Sequence, residues 1–155
     1  PFGGVMDRTL VLLKPDTLQR GLVGEILSRL ERRGLKIVAM KLMQMDEDLA
    51  NRHYDAHVDK PFFRGLVEFI TLSPLVAIVF EADNVVDIIR TTMGDTNAAK
   101  AAPGTIRGDF GIDIGRNLIH GSDSIESAER EIALFFNKED LVSYKRDTDG
   151  WITES

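Results

Sequence analysis

The chain has 155 residues, of which 43% are hydrophobic and 28% charged, and its formal net charge at pH 7 is −6. This length and composition predict one domain with a substantial core and exclude global disorder. The net negative charge disfavours nucleic acid as a partner, and the absence of cysteine excludes a disulfide scaffold, a thiolate metal site and a cysteine nucleophile.

The N-terminus bears on domain bounds and location. Met6 is a plausible native start, so residues 1–5 are expected to be an added remnant or a short extension, and residues 6–155 a single domain. The opening segment lacks the charged start and apolar middle of a signal peptide, and the longest apolar runs are too short to span a membrane. We therefore expect a cytoplasmic protein with no membrane partner.

Hydrophobic periodicity predicts alternating strands and helices in the first half of the chain. The run at 8–14 is continuously apolar, as in a strand buried on both faces, and ends before Pro15. The further elements are a helix over 22–33 stopped by Gly34, a strand over 35–45, a helix from Asp46 through His57, and a helix opened by Pro61 at its first turn.

The alternation continues in the second half. The predicted elements are a strand over 75–81, a helix over about 84–93 capped by Asp83, a glycine-punctuated loop over 95–116, a strand over 117–120, a helix over about 124–136 that buries Ile125, Ala128, Ile132, Phe135 and Phe136, and an irregular tail over 137–155. This order predicts an α/β (α+β) fold of the ferredoxin-like, split βαβ type: a four-stranded antiparallel sheet with helices packed on one face. The loop is longer than compact domains usually tolerate without a function.

His120 is the most informative single residue. It lies between a short apolar strand and the start of a helix, followed by Gly121, which leaves the imidazole uncrowded. A helix N-terminus favours anions, phosphate above all, and a neutral imidazole there can act as a nucleophile. The alternative is a surface histidine beside an ordinary helix cap, in which Asp123 and Glu126 form a pair resembling a capping box.

Three cations stand at the ends of predicted elements. Lys14 closes the first strand, Arg90 lies in the helix before the long loop, and Arg107 lies inside that loop. Together they could bind a polyphosphate, with Thr96 and loop backbone groups as added donors. The alternative for each cation alone is a solvated surface charge.

Several other sites are excluded or disfavoured. The chain has no P-loop, no Rossmann fingerprint and no G-x-S-x-G elbow. His53 and His57 have helical i, i+4 spacing, but no glutamate follows His53 and no third ligand is evident, so a metal held directly by the protein is not expected. Of Phe62 and Phe63, only one can point fully inward, and the other could stack on a base.

Six segments, taken in order, resemble the nucleoside diphosphate kinase family from about Asp7 to the C-terminus. They are KPD at 14–16, QRGLVGEI at 19–26, HY at 53–54, KPFF at 60–63, PGTIRGDF at 103–110 and NLIHGSDS at 117–124. Thr17-Leu18 replaces a commoner Gly-Val after KPD, which we expect to be a tolerable change in a turn.

The resemblance implies an enzyme that transfers the γ-phosphate of a nucleoside triphosphate, typically ATP, to a nucleoside diphosphate such as GDP, with little base selectivity. It implies a ping-pong mechanism through a phosphohistidine on His120. The implied cofactor is Mg²⁺, carried by the nucleotide phosphates and touched by Asp123 at most through water.

The resemblance also implies a role for each matching residue. Phe62 would stack on the base, Lys14 and Asn117 would contact the sugar hydroxyls, Arg90, Thr96 and Arg107 would hold the phosphates, Tyr54 and Ser122 would lie near the transferred phosphoryl group, and Glu131 would orient His120. His57 matches a position that contacts phosphate only in some members.

The tail after residue 137 resembles the C-terminal extension of hexameric members, so we expect a homohexamer. Three alternatives to the kinase are a non-catalytic nucleotide-sensing or scaffold module of ferredoxin-like fold, a nucleic-acid-binding regulator, and a phosphohistidine carrier without a nucleotide site. The intact His120, Lys14 and Asn117 argue against the first, the net charge against the second, and Phe62 with Asn117 against the third.

Overall fold

The computed structural model describes residues 6–154, so the predicted extension over residues 1–5 lies outside them. The strands are β1 (Asp7–Leu13), β2 (Lys36–Met43), β3 (Leu75–Ala82) and β4 (Ile119–Gly121). The helices are α1 (Pro15–Gln19), α2 (Val23–Arg32), α3 (Glu47–His53), α4 (Phe63–Ile70), α5 (Val85–Met93), α6 (Ile106–Phe110), α7 (Ile125–Phe135) and α8 (Asp149–Ile152), with short 3₁₀ turns at Asp55–His57, Ala98–Lys100 and Lys138–Asp140.

The four strands form one sheet in the order β2-β3-β1-β4, and every neighbouring pair is antiparallel. The predicted four-stranded antiparallel sheet is therefore confirmed. In the pairing of β1 with β4, Leu12 lies opposite His120. Because directly opposed residues share a face, His120 projects from the same face as Leu12.

Helices cover both faces of the sheet, so the expectation of helices on one face is wrong. Leu10 and Leu12 pack with α3, α4 and α7 on one side, whereas Val11 and Leu13 pack with α2 and α5 on the other. Side chains alternate between faces along a strand, and all four of these residues are fully buried. The apolar run of β1 is continuous because both of its faces are covered.

Several predicted boundaries differ in informative ways. The helix predicted through His57 ends at His53, because Tyr54 leaves the helical path and a separate 3₁₀ turn follows. α4 begins at Phe63, two residues after Pro61, and the cap of α5 is Asn84 rather than Asp83. Asn84 adopts a left-handed conformation (φ 57°), which asparagine tolerates better than most residues.

The region after residue 95 also departs from the prediction. The long loop contains α6 and a 3₁₀ turn, so it is partly helical. α7 is capped by the Ser124 hydroxyl, which accepts a hydrogen bond from the Ser127 amide, and not by the Asp123 and Glu126 pair of the alternative interpretation of His120. Ile125, predicted to be buried, is exposed at the first turn of this helix. Within residues 6–154, no helix has both the length and the apolar character needed to cross a membrane.

Candidate active site

A cleft of about 930 Å³ opens beside β4, and it brings together nearly all of the predicted site residues. Those that line it are Lys14, Tyr54, His57, Phe62, Arg90, Thr96, Arg107, Asn117, His120, Asp123 and Glu131. Ser122 is the exception: it is buried, and its hydroxyl is directed to the Leu10 carbonyl at 3.5 Å. The long loop, β4 and the segment around α3 and α4 thus supply one common site.

His120 is oriented by a buried carboxylate. Its Nε2 is hydrogen-bonded to Oε1 of Glu131, which projects from α7 and is 4% exposed. Because a carboxylate accepts, Nε2 carries the proton of the neutral ring, and Nδ1 keeps its lone pair. The pairing with Glu131 therefore leaves Nδ1 as the ring nitrogen with a lone pair, the form in which an imidazole can react with an electrophile.

A γ-turn immediately before β4 fixes the direction of His120. Leu118 has φ +73°, and the Ile119 amide donates to the Asn117 carbonyl at 2.8 Å. This conformation is strained for a leucine, and three bonds to Leu118 hold it in place. Its amide donates to Asp16 Oδ2 at 3.0 Å, while its carbonyl accepts from the Lys14 amide at 2.9 Å and the Thr17 hydroxyl at 2.6 Å. Thr17, which stands where glycine is commoner in the family, thus supplies one of these hydrogen bonds.

Gly121 was predicted to leave the His120 imidazole uncrowded, but its missing side chain matters most where β4 packs against α5. A Cβ there would lie 2.7 Å from the Met93 sulfur and 3.2 Å from Ile89 on α5. The glycine therefore allows β4 to pack closely against α5, and the uncrowded imidazole is not its main consequence.

Lys14 is a buried ammonium with a neutral partner. Its Nζ donates to Asn117 Oδ1 at 2.6 Å, and the Asn117 amide donates in turn to the Thr96 carbonyl at 3.0 Å. Burial, reinforced by the positive charge of Arg107, lowers the pKa of Lys14 to about 8. A buried cation whose hydrogen-bond partner is a neutral amide is prepared to receive an anionic or hydroxyl-bearing ligand.

Arg107 is fixed by the backbone around it. Its guanidinium donates to the carbonyls of Asn117 at 3.1 Å, Gly94 at 3.1 Å and Ile119 at 2.5 Å. Burial, followed by the nearby charge of Arg90, lowers the pKa of Arg107 to about 10, so it stays charged at neutral pH. Arg90 is more exposed and donates to the Gly121 carbonyl at 3.1 Å, next to His120.

The rim of the cleft, formed by His57, Phe62 and Ile114, is much more open. Phe62 is 50% exposed and Ile114 is 59% exposed. The His57 and Phe62 rings lie 5.5 Å apart. An exposed aromatic face beside an apolar side chain suits a planar base and carries no hydrogen-bond code. Phe63 packs against the core, in agreement with the prediction that only one of these two phenylalanines points inward.

Tyr54 and His53 occupy the interior between the rim and His120. Burial raises the pKa of the Tyr54 hydroxyl, and Glu131 adds to that effect. Burial and the neighbouring His120 lower the pKa of His53 to about 2, so its imidazole is neutral. The His53 and His120 rings meet edge to face with centroids 4.8 Å apart. The predicted helix ran through both His53 and His57, so the sequence paired His53 with His57 and did not predict its contact with His120.

The divalent-ion donors of the cleft are few. Besides Glu131, which is engaged with His120, Asp123 is the lining residue that carries a carboxylate. A hydrogen bond with Ser127 and the charge of Arg90 lower the pKa of Asp123, so it is ionised. One carboxylate fits an ion carried mainly by phosphates and water, and does not form a protein cage for Mg²⁺.

Three lining residues carried no distinct sequence signal: Ile114, Arg116 and Arg130. Arg116 stacks on Phe69 with its guanidinium carbon 4.2 Å from the ring centroid, and Arg130 donates to the Arg52 carbonyl at 3.2 Å. Arg116 directly precedes the NLIHGSDS segment, and this adjacency was the one available indication.

Comparisons with known proteins agree with this geometry. The sequence model of the nucleoside diphosphate kinase family matches residues 7–141. A nucleoside diphosphate kinase of Carboxydothermus hydrogenoformans is 59% identical over 96% of this chain and 100% of the relative.

Two solved structures have the same fold over 96% of this chain and 99% of theirs. A halophilic nucleoside diphosphate kinase from Halobacterium salinarum in complex with CDP has a TM-score of 0.93 at 53% identity. A transition-state mimic of nucleoside-diphosphate kinase from Borrelia burgdorferi with bound vanadate and ADP has a TM-score of 0.90 at 36% identity.

A cationic cleft with an oriented imidazole, on this fold, defines a phosphotransferase that acts on nucleotides. The chain belongs to the nucleoside diphosphate kinase family, and it transfers a phosphoryl group from a nucleoside triphosphate to a nucleoside diphosphate. Enzymes of this family need a divalent cation.

Proposed function

We propose that the transfer proceeds in two displacements through a phosphohistidine on Nδ1 of His120. The observation that carries this proposal is the hydrogen bond from Nε2 of His120 to buried Glu131, which leaves Nδ1 as the nucleophile. In the first displacement, Nδ1 forms a bond to the γ-phosphorus, the bond to the β–γ bridging oxygen breaks, and the nucleoside diphosphate leaves. In the second, a terminal oxygen of an acceptor diphosphate attacks the same phosphorus and regenerates His120.

The charges around His120 fit both displacements. Phosphorylation of Nδ1 places positive charge on the ring while Nε2 stays protonated, and the Glu131 carboxylate compensates that charge. Arg107, Arg90 and Thr96 line the cleft and would hold the phosphates, and Lys14 with Asn117 would contact the sugar hydroxyls. Tyr54 lines the same cleft as His120, and buried Ser122 would support the strand rather than contact the phosphoryl group directly.

One site serves donor and acceptor in turn, and its rim lacks a code for the base. Phe62 and Ile114 offer apolar surface to any base, so ATP is a suitable donor and GDP, among others, a suitable acceptor. Mg²⁺ is the proposed divalent ion. It would supply charge neutralisation on the phosphates, and Asp123 would contact it through water.

We also propose a homohexamer. The C-terminal segment packs back on the domain, where Ile152 lies against Gly34, and it leaves Trp151 92% exposed. The edge strand β2 exposes Met40 and Leu42, and the long loop exposes Ile112. Large exposed apolar side chains on an edge strand and a loop fit subunit contacts. Sedimentation equilibrium should give six chains of 17.3 kDa, whereas a tetramer or a monomer would contradict the proposal. The cytoplasmic location stays a prediction from the sequence.

A phosphoenzyme trap tests the mechanism. The chain is incubated with γ-labelled ATP and Mg²⁺ without an acceptor, isolated, and then given GDP, with His120→Ala in parallel. Acid-labile, base-stable label that the variant lacks and that moves to GTP is the expected result. Label that moves to no diphosphate would favour a phosphohistidine carrier. Absence of label in a protein that still binds nucleotide would favour a sensor or scaffold.

A further inference from the structure

His53 is buried, polar and unsatisfied, and the proposed phosphotransfer does not use it. It is 5% exposed, and neither of its ring nitrogens has a hydrogen-bond partner among residues 6–154. A buried imidazole without partners costs free energy, and its persistence beside charged groups requires an explanation. The ring faces His120 edge to face, and its Nδ1 lies 4.0 Å from Glu131 Oε1.

We propose that His53, His120 and Glu131 form a regulatory site for a divalent transition-metal ion, with Zn²⁺ as its best occupant. One ligand atom from each of the three residues lies within 4.8 Å of the others. Two imidazole nitrogens and a carboxylate oxygen are a donor set that zinc accepts, with the fourth position left to water. All three residues line the cleft, so an ion and its water have a path from solvent.

The distances require only side-chain adjustment. Zinc bonds of about 2.0–2.2 Å in a tetrahedral arrangement place ligand atoms about 3.4 Å apart. The widest separation of ligand atoms, at most 4.8 Å, would therefore shrink by up to about 1.4 Å, and the His53–Glu131 separation of 4.0 Å would shrink by less. The hydrogen bond between His120 and Glu131 would open to admit the ion. Mg²⁺ prefers oxygen ligands and would not compete for two imidazoles, so this site is separate in chemistry from the nucleotide-borne ion.

The surrounding charges set the strength of the site. Lys14, Arg90 and Arg130 stand on the walls of the same cleft and oppose a dication. Glu131 supplies the one compensating carboxylate among the three proposed ligands, and we expect an affinity weaker than that of a zinc enzyme. Such a site would fill when zinc rises and empty when it falls.

Occupancy would switch off the nucleophile that the proposed function requires. In the metal-free state Nε2 of His120 carries the proton and Nδ1 the lone pair. When Nε2 binds the metal, its proton leaves, and the neutral ring holds its proton on Nδ1 instead. The ring gains and loses one proton, with no net change. A protonated Nδ1 cannot attack phosphorus, so zinc inhibits by imposing the wrong tautomer.

Metal binding is measured first, without nucleotide. The metal-free full-length chain competes for Zn²⁺ with a chromophoric chelator, as wild type, as His53→Phe and as His57→Phe. The chain has three histidines and no cysteine, so His57 is the matched control. We expect one ion per chain, at least about tenfold weaker binding for His53→Phe, and unchanged binding for His57→Phe. Equal affinity in wild type and His53→Phe would overturn the proposal, as would an equal loss in His57→Phe.

Histidine ¹⁵N NMR of the wild-type chain keeps the test independent of how well a variant folds. Addition of Zn²⁺ should move the His120 proton from Nε2 to Nδ1 and give metal-bound shifts to His53. Zinc that perturbs His57 alone, or leaves the His120 tautomer unchanged, would overturn the site.

The phosphoenzyme trap then separates the two proposals. With excess Mg²⁺, one equivalent of Zn²⁺ should block labelling, and a chelator should restore it. If zinc binds and shifts the tautomer but no label forms even without zinc, the phosphohistidine mechanism fails and the metal site stands. Undiminished labelling at a zinc-saturated site would overturn the inhibitory role.

Discussion

The interior and the rim of the cleft are built in opposite ways. In the interior, Lys14, Arg107, Asn117 and Glu131 are each less than 10% exposed, and each has at least one hydrogen bond that fixes it. On the rim, Phe62 is 50% exposed and Ile114 is 59% exposed, and the Phe62 ring contacts the His57 ring and the Lys60 ammonium. The entropic cost of ordering the charged interior side chains is therefore incurred when the chain folds, before a nucleotide binds.

This contrast explains how one site combines demanding chemistry with tolerance of the base. The phosphate and the sugar are common to all nucleotides, and in the proposed binding mode they would contact the fixed interior. The variable base would contact the open rim, where stacking depends little on base identity. Substitutions in the interior should therefore reduce turnover or stability, whereas rim substitutions should mainly change KM.

Arg107→Ala should give the largest effect. It leaves the carbonyls of Gly94, Asn117 and Ile119 without this donor. The free energy of unfolding should therefore fall by at least about 3 kcal/mol. We expect kcat/KM to fall by more than about 100-fold. Urea unfolding and steady-state kinetics measure the two effects. Arg116→Ala is the control, since its guanidinium donates only to the adjacent Gly115 carbonyl, and a similar loss of stability in both variants would contradict the account.

Glu131→Gln comes next. The amide can still accept from Nε2, but it cannot compensate the charge on a phosphorylated ring. We expect kcat to fall about 10–100-fold with KM little changed, as measured by initial rates at saturating nucleotide. A proportional rise in KM without loss of kcat would show that Glu131 acts in binding and not through His120.

Lys14 should make nucleotide binding depend on pH. A bound anion favours the ammonium, so the Kd for ADP should rise above the free-chain pKa of about 8, by up to about tenfold per pH unit. The same lowered pKa makes the unfolded chain bind more protons between about pH 8 and 10.5, so folding stability should rise with pH across that window.

Calorimetric titration of ADP between pH 7.5 and 9.5, and urea unfolding over a similar range, measure the two effects of Lys14. Lys14→Gln is the control and should show neither dependence. A flat Kd in the wild type would contradict a charged contact from Lys14.

Phe62→Ala tests the rim and should have the smallest effect on chemistry. Loss of one stacking face is worth about 1–3 kcal/mol, so KM should rise at least about fivefold for every base, with kcat nearly unchanged. Steady-state kinetics with adenine, guanine and cytosine diphosphates check this result. A KM that rises for only one base would contradict the absence of a base code.

Much of the fold followed from periodicity in the sequence. The apolar runs of β1 and β3 and the helical faces of α2 and α7 predicted their elements to within a few residues. The continuous apolar run over residues 8–14 is typical of a strand buried on both faces, and it is inconsistent with the prediction of helices on one face only. Helix ends were less predictable, since nothing in the residues around Tyr54 marks the end of α3.

The features of the site also differ in how far the sequence predicts them. Residues on a recognisable motif, such as His120 and Asn117, lie in the cleft as expected. The left-handed conformation of Leu118 was not predictable, because leucine has no preference for positive φ and tertiary bonds from Asp16 and Thr17 impose it. The approach of His53 to His120 depends on packing between α3 and β4, which no local pattern encodes.

In the mechanism that we propose, Glu131 selects the nitrogen of His120 that attacks. The most direct measurement is ¹⁵N and ³¹P NMR of the trapped, histidine-labelled phosphoenzyme, with coupling used to assign the phosphorylated nitrogen. The account predicts a phosphoryl group on Nδ1 of His120, with Nε2 still bonded to Glu131. A phosphoryl group on Nε2, or on any residue other than His120, would contradict it.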